Sequence, residues 1–222
     1  MALETIDIET GDAPRVAIVL MHGLGADGND FVPIARELDL ARVGPVRFVF
    51  PNAPVIPVTI NGGYQMPAWY DILGADLAAR EDDAGLRRSQ AAIEALLARE
   101  KARGIPANRI VLAGFSQGCA LALMTGLRHA EALAGIVGLS GYLPLATSTA
   151  AERHGANAAT PIFLGHGQHD DVVPIGSAIA ARNALQALGH AVAWHDYPMA
   201  HSVCMEEIAD LNEWLLELLA VV

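Results

Sequence analysis

Gly114-Phe115-Ser116-Gln117-Gly118 is the stretch of this 222-residue chain best suited to covalent chemistry. The serine sits between two glycines, at the end of an apolar run and the start of a helical one. A strand-to-helix turn of this kind is sharp enough to lift a hydroxyl into the open, and small flanking residues prevent clashes there. The helix N-terminus would then face any negative charge that develops nearby. A serine so placed can instead cap the helix, a reading the two glycines weaken. Cys119 is a rival nucleophile on paper, but it falls inside the helix and reads as a small buried residue.

A serine hydroxyl is inert near neutral pH unless a base takes its proton and an anion orients the base. With a nucleophile on such a turn, the acid and then the histidine follow in chain order. Of eight histidines, His22 precedes the serine, His129 lies in the following helix and His154 in a polar loop. His190 and His195 precede or lie within the last strand. His201 follows it, in "YPMAHSVC", and is the expected base. The acid belongs after the preceding strand, where "GHGQHDDVVP" (165–174) offers both Asp170 and Asp171. Residue type and spacing do not separate them. His166 and His169 in the same stretch have no helix to align them and no cysteine or Glu-rich partner, so they make a poor metal site. No metal is expected, and both histidines read as bystanders.

A second loop supplies the electrostatics. In "HGLGADG" (22–28), Gly23, Gly25 and Gly28 satisfy G-x-G-x-x-G after a strand and before a helix, the fingerprint of dinucleotide binding. An NAD-dependent oxidoreductase would also need an acid ending the second strand, to hold the ribose. That strand ends in Phe50, Pro51 and Asn52, so no cofactor is expected. The other use of such glycines is to expose backbone N–H groups to a negative oxygen. The N–H groups of Leu24 and Gln117 would form that oxyanion hole.

Positioning these groups requires strands that end at one edge. Apolar runs at 15–21, 46–50, 109–115, 135–140, 161–166 and 192–197 read as buried strands. Helical patterns cover about 29–39, 84–103, 117–130, 175–188 and 205–219. This alternation predicts an α/β fold, a mostly parallel sheet with helices on both faces and ligands at the carboxyl ends of the strands. Residues 1–222 fit one domain. The segment from about 51 to 83 breaks the rhythm, with four prolines and little periodicity. Its apolar residues suggest a lid-like cover over a pocket, with Trp69, Ile72, Leu73 and Leu77 as substrate contacts.

Composition excludes several classes. A net charge of −11 disfavours nucleic acids and anionic membrane surfaces as partners. Apolar runs of about six residues fall short of the roughly 20 needed to span a bilayer, so no stable membrane insertion is expected. The acidic N-terminal stretch does not read as a secretory signal. Two cysteines make no disulfide framework, and a cytoplasmic location is the default.

Taken together, "LMHGLGADGNDF", "FPNAP", "MPAWYDI", "GFSQGCALAL", "GLSGYLP", "HGQHDDVVP" and "MAHSV" resemble the carboxylesterase, acyl-protein thioesterase and lysophospholipase family of small α/β-hydrolases. The matching pieces run from about residue 17 to 203. The resemblance implies an α/β-hydrolase fold with minimal or no cap domain, and a triad of Ser116, Asp170 and His201. Asp171 falls on a position the family varies. His22 to Gly25 match the first oxyanion loop, and "DILGADLAARED" matches an apolar lid beside an acyl channel. Ala75 and Asp76 make that lid less apolar than in thioesterase members. The implied activity is hydrolysis of small acyl esters through an acyl-enzyme, with acyl-protein thioesterase or lysophospholipase activity as the alternative. Family relatives are often dimers, which adds a homodimer to the expectations.

Overall fold

In the computed structural model, which describes residues 3–74 and 80–220, the chain begins with β1 (Thr5–Glu9), β2 (Val16–Met21), α1 (Val32–Glu37) and β3 (Val46–Pro51). There follow β4 (Val55–Val58), β5 (Tyr64–Pro67), α2 (Asp83–Ala102), β6 (Ile110–Phe115) and α3 (Gln117–Arg128). The last third holds β7 (Gly135–Leu139), α4 (Ala146–Glu152), β8 (Ile162–Gly167), α5 (Ile175–Ala187), β9 (Val192–Tyr197) and α6 (Met205–Leu219).

Seven strands form one sheet in the order β1-β3-β2-β6-β7-β8-β9. Every pairing is parallel except β1 with β3. The central strands are apolar on both faces because both faces are covered. In β2, Ala17, Val19 and Met21 join the core that includes Ile93 and Leu97 of α2 and Leu121 of α3, while Val16, Ile18 and Leu20 join the one that includes Leu211 and Leu215 of α6. Helix α3 is buried along almost its whole length, which explains why its sequence is apolar on all sides. This is the α/β-hydrolase fold. It brings the ends of β2, β6, β8 and β9 to one edge, near Leu24, Ser116, Asp170 and His201.

Four elements escaped the sequence reading. Edge strand β1 has the half-polar pattern TIDIE, because its partners are charged. Arg47 of β3, itself buried, meets Asp7 at 2.5 Å, Glu9 at 2.7 Å and the fully buried Glu100 of α2 at 2.8 Å. The stretch expected to be irregular from 51 to 83 instead contains an antiparallel hairpin of β4 and β5. Its turn uses Gly62 and Gly63 at φ 67° and 80°, a backbone region open to glycine. An isolated antiparallel bridge then pairs Ile72 with Glu81. Helix α4 has a short, polar and alanine-rich sequence that carries little periodicity. The helix expected at 29–39 is a 3-10 turn, Gly28–Phe31, running into the shorter α1.

One buried charge makes a prediction. Glu207, in the first turn of α6, is fully buried, and neither carboxyl oxygen has a hydrogen-bond partner among the described residues. Burial pushes its carboxyl up to about 8 from an ordinary 4.5. A folded-state pKa above the unfolded one gives stability that is complete below pH 4.5 and is lost as pH rises towards 8. Glu207→Gln should therefore gain stability on the parent as pH rises from 5 to 8, by on the order of a few kcal/mol, seen as a widening gap between their thermal midpoints. A difference between the two midpoints that stays constant with pH would sink this account.

Candidate active site

The turn between β6 and α3 holds Ser116 at φ 57° and ψ −116°. A non-glycine residue keeps such a conformation at a cost of about 1–3 kcal/mol, so its surroundings must enforce it. They do so through close approach. A Cβ on Gly114 would overlap the Gly118 carbonyl, and one on Gly118 would overlap the carbonyl of Met21. The serine N–H donates to Leu139 O at 2.9 Å, and its carbonyl accepts from Ala120 N at 3.2 Å. Its side chain makes no capping hydrogen bond to the helix, so the hydroxyl is not spent on structure.

His201 lies in the loop between β9 and α6. Its Nδ1 is 2.7 Å from Asp170 Oδ2, and the Asp170 side chain is fully buried. The other oxygen, Oδ1, accepts the N–H groups of Val172 at 3.0 Å and Val173 at 2.8 Å. Asp171 is exposed at the rim. The geometry thus separates two aspartates that spacing left equivalent. The proton on His201 Nδ1 faces a carboxylate, which leaves Nε2 as the basic nitrogen.

His166 is closer to this arrangement than a bystander would be. Its buried ring places Nε2 2.8 Å from Val173 O and 3.5 Å from Asp170 Oδ2, beneath the turn that carries the acid. Burial lowers its pKa from the ordinary value. His169 stays exposed, apart from its backbone bond to Met199 O.

Ser116 and His201 line one cavity of about 870 Å³. Its walls include Leu24, Phe31, Ile72, Phe115, Tyr142 and Val173. Neither the Leu24 nor the Gln117 N–H has an acceptor among the described residues. Cys119 is fully buried behind the turn, and burial pushes its thiol up to about 12, far from thiolate reactivity. Asn52, where a dinucleotide site would need an acid, instead takes the Gly28 N–H on Oδ1 at 2.8 Å. No group of three or more His, Cys, Asp or Glu side chains among the described residues could hold a metal ion. No helix among them is long and apolar enough to cross a membrane.

A sequence profile of the phospholipase/carboxylesterase family matches residues 4–219. The chain belongs to the phospholipase/carboxylesterase family. Its relatives include acyl-protein thioesterase 1 of Yarrowia lipolytica, 40% identical over 210 residues and 92% of each chain. The Saccharomyces cerevisiae protein of that name is 39% identical, over 90% of this chain and 92% of its own. Among solved structures, Arabidopsis thaliana SOBER1 superposes with a TM-score of 0.87 at 28% identity, covering 92% of this chain and 99% of that one. Zea mays acyl-protein thioesterase 2 gives 0.85 at 29%, covering 97% and 99%. The chain is accordingly a serine hydrolase of the ester and thioester class.

Within this phospholipase/carboxylesterase member, the substrate contacts expected from the irregular segment divide. Ile72 does line the cavity. Trp69 does not: it is 2% exposed, and its Nε1–H donates to His22 O at 2.8 Å, behind the first glycine loop. Leu73 borders a much smaller void instead, beside Glu81. Leu77 lies outside the described residues. Tyr142, missed by the sequence reading, lines the cavity with its hydroxyl 2.8 Å from that of Tyr70. It follows β7 almost directly, so the rule that ligands gather at strand ends could have found it.

Proposed function

We propose that this enzyme hydrolyses carboxylic esters through an acyl-enzyme on Ser116, with His201 as base and Asp170 as the acid that orients it. The observation carrying this reading is the 2.7 Å contact of His201 with buried Asp170, on a cavity shared with the strained serine. Ser116 Oγ attacks the acyl carbon while His201 Nε2 takes its proton. The carbonyl oxygen becomes an oxyanion that accepts from the N–H groups of Leu24 and Gln117. His201 then protonates the leaving alcohol as the tetrahedral intermediate collapses. Water repeats the sequence on the acyl-enzyme, and the carboxylic acid departs.

A thioester is cleaved by the same steps, with a thiol leaving. That second reading is favoured by relatives at about 40% identity that carry the name acyl-protein thioesterase. Lysophospholipids are esters of the same chemistry. The test is a comparison of kcat/KM for oxyesters and thioesters of matched acyl chains, from acetyl to palmitoyl. We expect oxyesters to be turned over within about 10-fold of the matched thioesters, since the barrier is met by the same groups. A thioester preference far beyond that, across all lengths, would replace the first reading with the second.

A further inference from the structure

The two proposed oxyanion donors come from separate parts of the chain. Gln117 is fixed by the start of α3, but Leu24 sits in a loop between Gly23 and Gly25, the latter at φ 78°. A loop with that freedom does not hold an N–H to a fraction of an ångström by itself. Something outside it must. The candidates are the contacts made by its own polar atoms, which lead to the Trp69 and His22 side chains and the Pro67 carbonyl.

We infer that Trp69 is a positioning residue for the oxyanion hole, a strut that ties the Leu24 loop to the Ser116 turn. This rests on the reading of Leu24 and Gln117 as oxyanion donors. The strut is bonded at both ends. Its indole Nε1–H donates to the carbonyl of His22, at the base of the glycine loop, at 2.8 Å. Its own backbone N–H donates to Gln117 Oε1 at 3.0 Å, while Gln117 Nε2–H donates to Tyr70 O at 2.9 Å. The Trp69 carbonyl accepts from Ser89 of α2, which anchors the strut to the core. Residue 117 therefore presents its N–H to the cavity and uses its side chain to grip the segment that sets the other donor.

His22 completes the brace. Its ring is buried and lies 5.1 Å from the Trp69 ring, centroid to centroid. The N–H of Ala53 donates to its Nε2 at 3.0 Å, so the ring proton is on Nδ1 and donates to Gly23 O at 2.7 Å. Burial lowers the pKa of this ring, consistent with the neutral form. One turn further, Gly25 N–H donates to Pro67 O at 2.8 Å, from the same segment that leads into Trp69. Leu24 is held from both sides, and its N–H is left over for substrate.

Trp69 does not line the cavity, so it acts on the rate without touching the substrate. Deleting the indole N–H orphans a buried carbonyl that water does not readily reach, and the loop moves to relieve it. An error of an ångström in a catalytic group costs about 100-fold, and a lost oxyanion donor 10²–10³-fold. We expect a loss in kcat of about 10- to 100-fold with KM within about 3-fold of the parent.

The test substitutes β-(3-benzothienyl)alanine for Trp69, which keeps the shape of the ring and removes the N–H; Trp69→Phe is the genetic counterpart. Kinetics on p-nitrophenyl butyrate are paired with inhibition by a trifluoromethyl ketone, whose adduct is an oxyanion, and by the matching methyl ketone. Support is a fall in kcat with a parallel weakening of the trifluoromethyl ketone alone, and normal values with 5-fluorotryptophan, which retains the N–H. Unchanged kcat in the benzothienyl protein overturns the strut, as does a loss that leaves trifluoromethyl ketone binding intact. If the unsubstituted protein binds both ketones equally, the oxyanion assignment itself fails, and the strut with it.

Discussion

Ser116→Ala abolishes hydrolysis of p-nitrophenyl acyl esters and leaves the fold standing. The expected loss in kcat is on the order of 10⁶-fold, the scale on which removal of a serine nucleophile acts when its partners have nothing left to activate. The fold should survive because the serine side chain makes no capping bond and its backbone contacts to Leu139 and Ala120 are independent of the hydroxyl. Alanine also keeps a Cβ at φ 57°, so the strain of the turn is neither relieved nor deepened. Activity above background in a protein with an unchanged thermal midpoint would remove Ser116 from the mechanism. Labelling by a fluorophosphonate, present in the parent and absent in the variant, reads the same site without a substrate.

Asp170→Asn is expected to cost on the order of 10⁴-fold in kcat, and Asp171→Asn no more than a few-fold. The hydrogen bonds say why. Oδ1 of Asp170 accepts two backbone N–H groups, so an asparagine there must keep its amide oxygen on Val172 and Val173. Its NH2 group then points at His201 Nδ1, which must accept rather than donate. The ring proton is forced onto Nε2, the nitrogen that has to take the serine proton. The variant keeps its geometry and loses its base. Asp171, exposed and apart from this bond, has no such hold on the tautomer. Reversed magnitudes in the two variants would assign the acid to Asp171.

Much of this was legible in the residues, for reasons that differ from place to place. Strands β2, β6 and β8 are continuous apolar runs because they are covered on both faces, and that pattern survives without any structure. The strained turn at Ser116 was legible because such a turn needs glycines at fixed offsets, and sequence spacing records offsets faithfully. The choice between Asp170 and Asp171 was not. It depends on which of two adjacent carboxylates turns inward, and only the resemblance to a family chose one. Trp69 was misread for a related cause. An aromatic residue in an apolar, proline-rich stretch suggests a pocket wall, and nothing in its spacing reveals an indole N–H aimed at a carbonyl 47 residues away. Edge strand β1 was hidden because it is short and half polar: Ile6 and Ile8 pack on the core, while Asp7 and Glu9 between and beyond them pair with Arg47.

The order of the strands divides the proposed catalytic groups between places of unequal security. Ser116 stands at the end of β6, flanked by strands on both sides, whereas His201 follows β9, the outermost strand, paired only with β8. The proposed base is also the last of the three to be synthesised. On the proposed roles, a chain whose final strand and helix have come away has no imidazole in place to activate Ser116. With that triad, such a molecule would be silent rather than misdirected, and hydrolysis would wait on the far edge of the sheet.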